Sequence, residues 1–176
     1  MAVTLVEKYN PEWPKWFEEV KSYLGTKISQ VCIQIEHVGS TSVSGMTAKP
    51  IIDLILVIEP QDVEEITGFL AERGYYHQGD LGIKDREVFM LKDTSIQNPG
   101  PVPYHHLYVC PKDSAELMKE IAFRDFLRQS KEYAERLSEL KWSLAEKFNN
   151  DRGAYMEGKA AFCREITEMA LGHEGL

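Results

Sequence analysis

The stretch HVGSTSVSGMTAKPIIDLILVI, residues 37–58, constrains the fold of this chain more than any other. It places a turn of small residues ahead of one polar residue, Asp53, in a run that is otherwise apolar from Ile51 to Ile58. Gly39, Ser40, Thr41 and Ser42 let backbone N–H groups and three hydroxyls approach an anion, because no bulky side chain holds it off. A phosphate suits such a turn. Moving even a neutral polar group from water into apolar surroundings costs about 2–7 kcal/mol, and an unpaired carboxylate costs more, so Asp53 needs a compensating partner. A metal ion is one such partner, and turn and aspartate together make the minimal site of a phosphoryl- or nucleotidyl-transfer fold. The alternatives are a plain loop or helix cap for the G-S-T-S run, and a lysine or loop amides as the partner of Asp53.

Composition narrows the classes. At 176 residues, 43% of them hydrophobic, the chain can bury one core, and residues 1–176 read as a single domain. A net charge of −8 and a pI near 5.2 argue against binding along an extended nucleic acid, which needs a basic face, but leave room for a small ligand in a local pocket. Cys32, Cys110 and Cys163 are odd in number and lack C-x-x-C spacing, so neither a disulfide framework nor a zinc cluster is expected. The start lacks a charged region followed by an apolar core, and no run reaches the roughly 18 apolar residues of a membrane span. The expectation is a cytoplasmic protein with no membrane partner.

Trp13, Trp16, Phe17, Val20, Leu24 and Ile28 recur at helical spacing, which predicts a helix over 12–28. Alternation over 31–38 predicts a strand with Val31, Ile33, Ile35 and His37 on one face. Residues 50–58 predict a second strand, apolar on both faces apart from Asp53, as for a central strand covered by helices. A helix over 61–73 follows, then shorter strands over 75–77, 87–92 and 104–110, antiparallel or mixed. From 113 onward the apolar stripes predict two or three helices. Strands first and helices after give an α+β domain, a mixed sheet with helices packed largely on one side and a C-terminal helical segment.

Other side chains compete for the site. His106 shares a strand face with Tyr104 and Tyr108, as a metal ligand, a phosphate donor or a satisfied core group. His37 ends the preceding strand beside Gly39, where it caps the turn or hydrogen-bonds its own loop. Lys159 falls on the apolar stripe of Tyr155, Phe162 and Ile166, an unusual place for a cation unless its stem snorkels outward. Arg124 and Arg128 share a helix face at i, i+4; a bound anion would bridge them, and Asp125 and Glu132 are alternative partners. Lys49 and Arg86 precede strands and can each reach a phosphate.

Five segments, EKYNPEWPKWFEEVK, IEHVGSTSVSGMTAKPIIDLILVI, YHHLYV, FRDFLR and KAAFCREI, in this order and across nearly the whole chain, resemble the GrpB family. The resemblance implies a nucleotidyltransferase-like fold. A similar domain is fused in some bacteria to dephospho-CoA kinase, which implies a link to coenzyme A metabolism. Nucleotidyltransferases carry a G-S turn, then D-x-D or D-x-E on a strand, then a third acid on a later strand. Gly39, Ser40 and Asp53 match that pattern, but Ile55 holds the second acid's place and 104–110 contains no acid, leaving His106 as a stand-in. Two divalent ions about 4 Å apart repel by roughly 16 kcal/mol at an effective dielectric of 20, more than one aspartate offsets. The sequence therefore favours one Mg²⁺ or Mn²⁺, or none.

These readings imply a protein that binds a nucleotide or other phosphorylated small molecule over Gly39, Ser40, Thr41 and Ser42. Asp53 and His106 are the metal ligands, and Asp53, His37 and His106 the catalytic candidates. Lys49, Arg86, Arg124 and Lys159 supply phosphate contacts. The expected reaction is nucleotidyl transfer to a small acceptor. The rival is a non-catalytic module that binds a nucleotide or coenzyme A precursor and has lost the second acid. A purely structural role leaves Asp53 and the turn without a shared explanation.

Overall fold

A computed structural model describes residues 5–149 and 151–173. Helix α1 (Trp13–Leu24) buries Trp13, Phe17, Val20 and Leu24, the stripe its sequence spacing requires. Gly25, at φ 83°, then breaks the predicted single helix, and a short α2 (Thr26–Val31) carries Ile28 into the same core. That turn consumes Val31, so the first strand, β1 (Gln34–Val38), starts three residues later than its alternation suggested. A 3-10 turn (Ser40–Ser42) follows, then β2 (Ile52–Ile58), α3 (Val63–Glu72), β3 (Tyr75–His77), β4 (Glu87–Leu91) and β5 (His105–Pro111). Three helices complete the described chain: α4 (Ala115–Gln129), α5 (Lys131–Lys147) and α6 (Arg152–His173). Among the described residues no helix is long and apolar enough to cross a membrane.

The five strands form one mixed sheet in the order β1-β2-β5-β4-β3, with only β2 and β5 parallel. The α+β class expected from the sequence holds. The helices, however, divide between the two faces rather than collecting on one. Ile52, Leu54, Leu56 and Ile58 of β2 pack under α1, α2 and α3 with Phe17, Leu24, Ile28 and Leu70. The alternate residues Ile55 and Val57 pack with Val38, Cys110 and Leu117 of α4. A strand apolar on both faces has to be covered on both, each buried Leu or Ile contributing about 1.5–3 kcal/mol.

The link between turn and helices positions the site. Val43 and Met46, just after the 3-10 turn, are buried against Leu127, Leu137 and Ile166 of the three C-terminal helices. Thr47 is held three ways from α5: its N–H donates to Ser138 Oγ at 3.1 Å, its hydroxyl accepts from Trp142 Nε1 at 2.9 Å, and its carbonyl accepts from Lys141 Nζ at 2.9 Å. The segment joining β1 to β2 is therefore anchored in the helical layer.

Candidate functional site

Asp53 is the second residue of β2, on the α4 face, and is in register with Val38 of β1 and His106 of β5. Parallel pairing sets both side chains on the same face, and His106 Nδ1 lies 3.1 Å from Asp53 Oδ1. Asp53 is only partly buried, its side chain 29% exposed, and its partner is this histidine, one strand away. Residues more than fifty apart in sequence meet here, so the pairing had no local signal. With Nδ1–H donating to Asp53, the imidazole leaves Nε2 as its basic nitrogen.

Gly39 closes on the other carboxylate oxygen. It sits at φ 70°, and a Cβ there would stand 2.6 Å from Asp53 Oδ2 and 3.2 Å from Asp53 Cβ. Only glycine allows both that backbone and that approach.

The hydroxyls of the turn face inward. Ser40 Oγ accepts from Lys141 Nζ, Ser42 Oγ donates to Gly39 O at 2.5 Å, and Thr41 Oγ1 lies 3.0 Å from His37 Nε2 while donating to Ile51 O at 3.3 Å. The sequence reading aimed all three at a ligand. In the structure each has a protein partner that braces the turn, and Ser40, which accepts from Lys141, keeps its own O–H to donate. Gly39, Ser40 and Thr41 still line a cavity of about 330 Å³; Ser42 does not.

That cavity opens on the α4 face of the sheet, and Lys49, Arg86, Lys141, Arg152 and Lys159 line it against the carboxylates of Asp53 and Glu120. Of the five cations, Arg86 alone has a salt bridge among the described residues, a long one of 3.9 Å to Glu116. Arg86 also stacks over the Tyr108 ring at 4.9 Å. Lys49 and Lys159 both sit over the buried Tyr155 ring, 4.8 and 5.4 Å from its centroid. Their ammonium groups are thus no more than about 10 Å apart and, when both are charged, repel by at least about 1.6 kcal/mol at an effective dielectric near 20. Burial, then Lys159 and Arg152, lowers the Lys49 ammonium to about 8. Lys141 is 2% exposed, and burial with Lys159 beside it lowers it to about 7. Glu120 moves the other way, to about 7, through burial and the nearby Asp53.

Lys49, Arg86, Lys159, Asp53 and His106 are brought together; three other candidates are not. His37 turns to the opposite face, where its ring stacks on Phe17 at 4.8 Å and burial lowers it to about 4. It is a neutral brace for Thr41. Arg124 is buried against Glu36 and Asp125 and donates to His37 O at 3.1 Å, while Arg128 donates to Ser42 O at 3.0 Å. These two arginines, one helical turn apart on α4, hold the carbonyls at both ends of the turn from outside the cavity. The anion between them is the Asp125 carboxylate.

Lys141, Glu120, Arg152 and Tyr155 escaped the sequence reading. Lys141 carried a usable signal, lying four after Leu137 and three before Leu144 on an apolar stripe, the same pattern that singled out Lys159. Glu120 carried none, since a glutamate on a charged helix is ordinary.

The family model described as "GrpB protein" matches residues 3–169. The chain belongs to the GrpB family. The glutamate-rich protein GrpB of Alkalihalophilus pseudofirmus is 35% identical over 160 residues, covering 90% of each chain. The crystal structure of the conserved protein GrpB from Enterococcus faecalis superposes with a TM-score of 0.82 at 30% identity, covering 97% of this chain and 99% of that one. A partial superposition on the Cid1 poly(U) polymerase, with a TM-score of 0.46 at 16% identity over 76% of this chain and 42% of that one, is too slight to bear on function. The five-stranded mixed sheet with six helices seen among the described residues is the GrpB architecture, in line with the nucleotidyltransferase-like class that the resemblance implies.

Proposed function

We propose that this GrpB protein binds a nucleotide or other phosphorylated small molecule in the cationic cavity and transfers its nucleotidyl group to a small acceptor. The observation that carries the reading is the charge of the cavity. Five cations face two carboxylates in a chain whose net charge is −8, and four of the five have no salt bridge among the described residues. Holding uncompensated like charges together costs free energy that a polyanion recovers on binding. The cavity also lies within the roughly 300–1,000 Å³ usual for small-molecule sites.

The chemistry follows from the Asp53–His106 pair. Asp53 orients the imidazole, and Nε2 takes the proton of an acceptor hydroxyl or amine as it attacks phosphorus. Lys49, Lys159 and Arg86 hold the phosphate oxygens and stabilise charge on the departing group. Among the described residues no three His, Cys, Asp or Glu side chains converge to hold a metal ion. Asp53 alone fits a single Mg²⁺ or Mn²⁺ that takes its other ligands from water and phosphate. Asp53 would hold the ion, which would neutralise phosphate charge.

A second reading has its own support. Ile55 is fully buried among Val38, Val57 and Leu117, so the second acid's place belongs to the core. This favours a non-catalytic module that binds a nucleotide or coenzyme A precursor, serving coenzyme A metabolism beside dephospho-CoA kinase. Incubation with nucleoside triphosphates, Mg²⁺ and small alcohols or amines separates the two. Pyrophosphate release that is lost in Asp53→Asn, with the fold unchanged by circular dichroism, supports transfer. Binding without turnover supports the module.

A further inference from the structure

A second cavity of about 600 Å³ lies beside the first, between α4 and α6, and the proposed function gives it no role. The two share Gly39, Ser40, Asp53, Glu120, Lys141, Met156 and Lys159, so they are chambers of one cleft meeting at the Asp53 carboxylate. Their walls differ in two respects. In charge, the first has five cations against two carboxylates, whereas the second has four (Lys119, Lys141, Lys159, Arg164) against four (Asp53, Glu116, Glu120, Glu168). In polarity, both walls are partly apolar, with Ala48, Ile51, Ile55 and Tyr155 in the first, and the second is the more so, with Phe123, Leu137, Ala160, Cys163 and Leu171.

A polyanion gains nothing from a chamber whose charges balance. An uncharged body with an apolar face gains from Phe123 and Leu137, and if it carries ring nitrogens and hydroxyls it also finds partners in Thr167 and the charged rim. A plain acyl chain has no use for that rim. We propose that one nucleoside polyphosphate spans the cleft, its phosphates in the first chamber and its nucleoside in the second, against Phe123 and Ala160. The inference rests on the phosphate-binding reading above and adds the part of the ligand that reading leaves unplaced. Asp53, His106 and Glu120 then stand where the phosphate chain leaves the nucleoside, the end at which a nucleotidyl group is transferred.

The test is isothermal titration of the full chain with ATP and with inorganic triphosphate, both with Mg²⁺. Wild type is expected to bind ATP at least tenfold more tightly than triphosphate. Ala160→Trp fills the second chamber and is expected to bring ATP to within twofold of triphosphate, while triphosphate stays within twofold of wild type and so reports a folded first chamber. Phe123→Ala opens the wall instead of filling it and is expected to act in the same direction. Equal affinities for ATP and triphosphate in wild type, or equal weakening of both by Ala160→Trp, overturn the spanning ligand but leave the phosphate site standing. No binding of triphosphate to wild type removes the phosphate reading and this inference with it.

Discussion

Gly39 and Asp53 are packed so that a Cβ at position 39 would lie 2.6 Å from Asp53 Oδ2. The turn and the strand aspartate, suggestive of one site when read separately, are in direct contact. Gly39→Ala should cost about 1–3 kcal/mol for the backbone alone, at φ 70° and ψ −176°, and should also displace the carboxylate. Gly45, at φ 81° with open space around it, is the control. Gly45→Ala should lower Tm for the same backbone reason and leave ligand affinity intact, whereas Gly39→Ala should lose both. Thermal melts with triphosphate titrations check the pair.

Lys141 should make anion binding pH-dependent. Its folded-state value of about 7 lies below the 10.5 of an ordinary lysine, so between those values the unfolded chain holds more protons and stability rises with pH. The cost is present in full below pH 7. Lys141→Met should flatten stability against pH over 7–9. A bound polyanion restores the charge, so binding at pH 8 should take up protons, read as a dependence of the calorimetric heat on the buffer's ionisation enthalpy. The variant should lose part of that uptake.

His37 titrates with the same sign in an acid window. Burial holds it at about 4 against the ordinary 6.5, so stability should fall as pH drops from 6.5 to 4. His37→Phe keeps the stack on Phe17 and should flatten that slope while binding triphosphate within twofold of wild type. A large loss of binding in His37→Phe would return His37 to the site.

Arg124 and Lys159 should separate structure from binding. Arg124 is nearly buried against Glu36 and holds the His37 carbonyl, so Arg124→Ala strands a buried carboxylate and should cost about 3–5 kcal/mol. Lys159→Ala removes only its place over Tyr155 and a repulsion with Lys49, so Tm should hold or rise while phosphate affinity falls. Chemical denaturation beside calorimetry reads both.

These contrasts show what the sequence carried. Asp53 was legible because one polar residue in an apolar strand is costly wherever that strand lies, and Lys159 because a cation broke an apolar stripe. The division of helices between the faces was implicit in β2, whose residues are apolar on both sides. The partner of Asp53 was not legible, because His106 reaches it through strand order, which no local pattern encodes. Nor were the roles of Arg124 and Arg128, whose i, i+4 spacing serves an anion site and a clamp on two carbonyls equally. The bracing roles of the Ser40, Thr41 and Ser42 hydroxyls were not legible for a related reason. A small polar residue is as suited to bracing its own turn as to holding a ligand, and Lys141, His37 and the local backbone reached those hydroxyls first.

The central claim is that the cavity around Asp53 is built for a polyanion, and the most direct measurement is calorimetric titration of inorganic triphosphate into wild type and a Lys49→Ala, Lys159→Ala double variant at two salt concentrations. The account predicts binding by wild type that weakens with salt, and at least tenfold weaker binding by the double variant, whose Tm is unchanged or higher. No binding by wild type at low salt, or equal binding by both proteins, would contradict it.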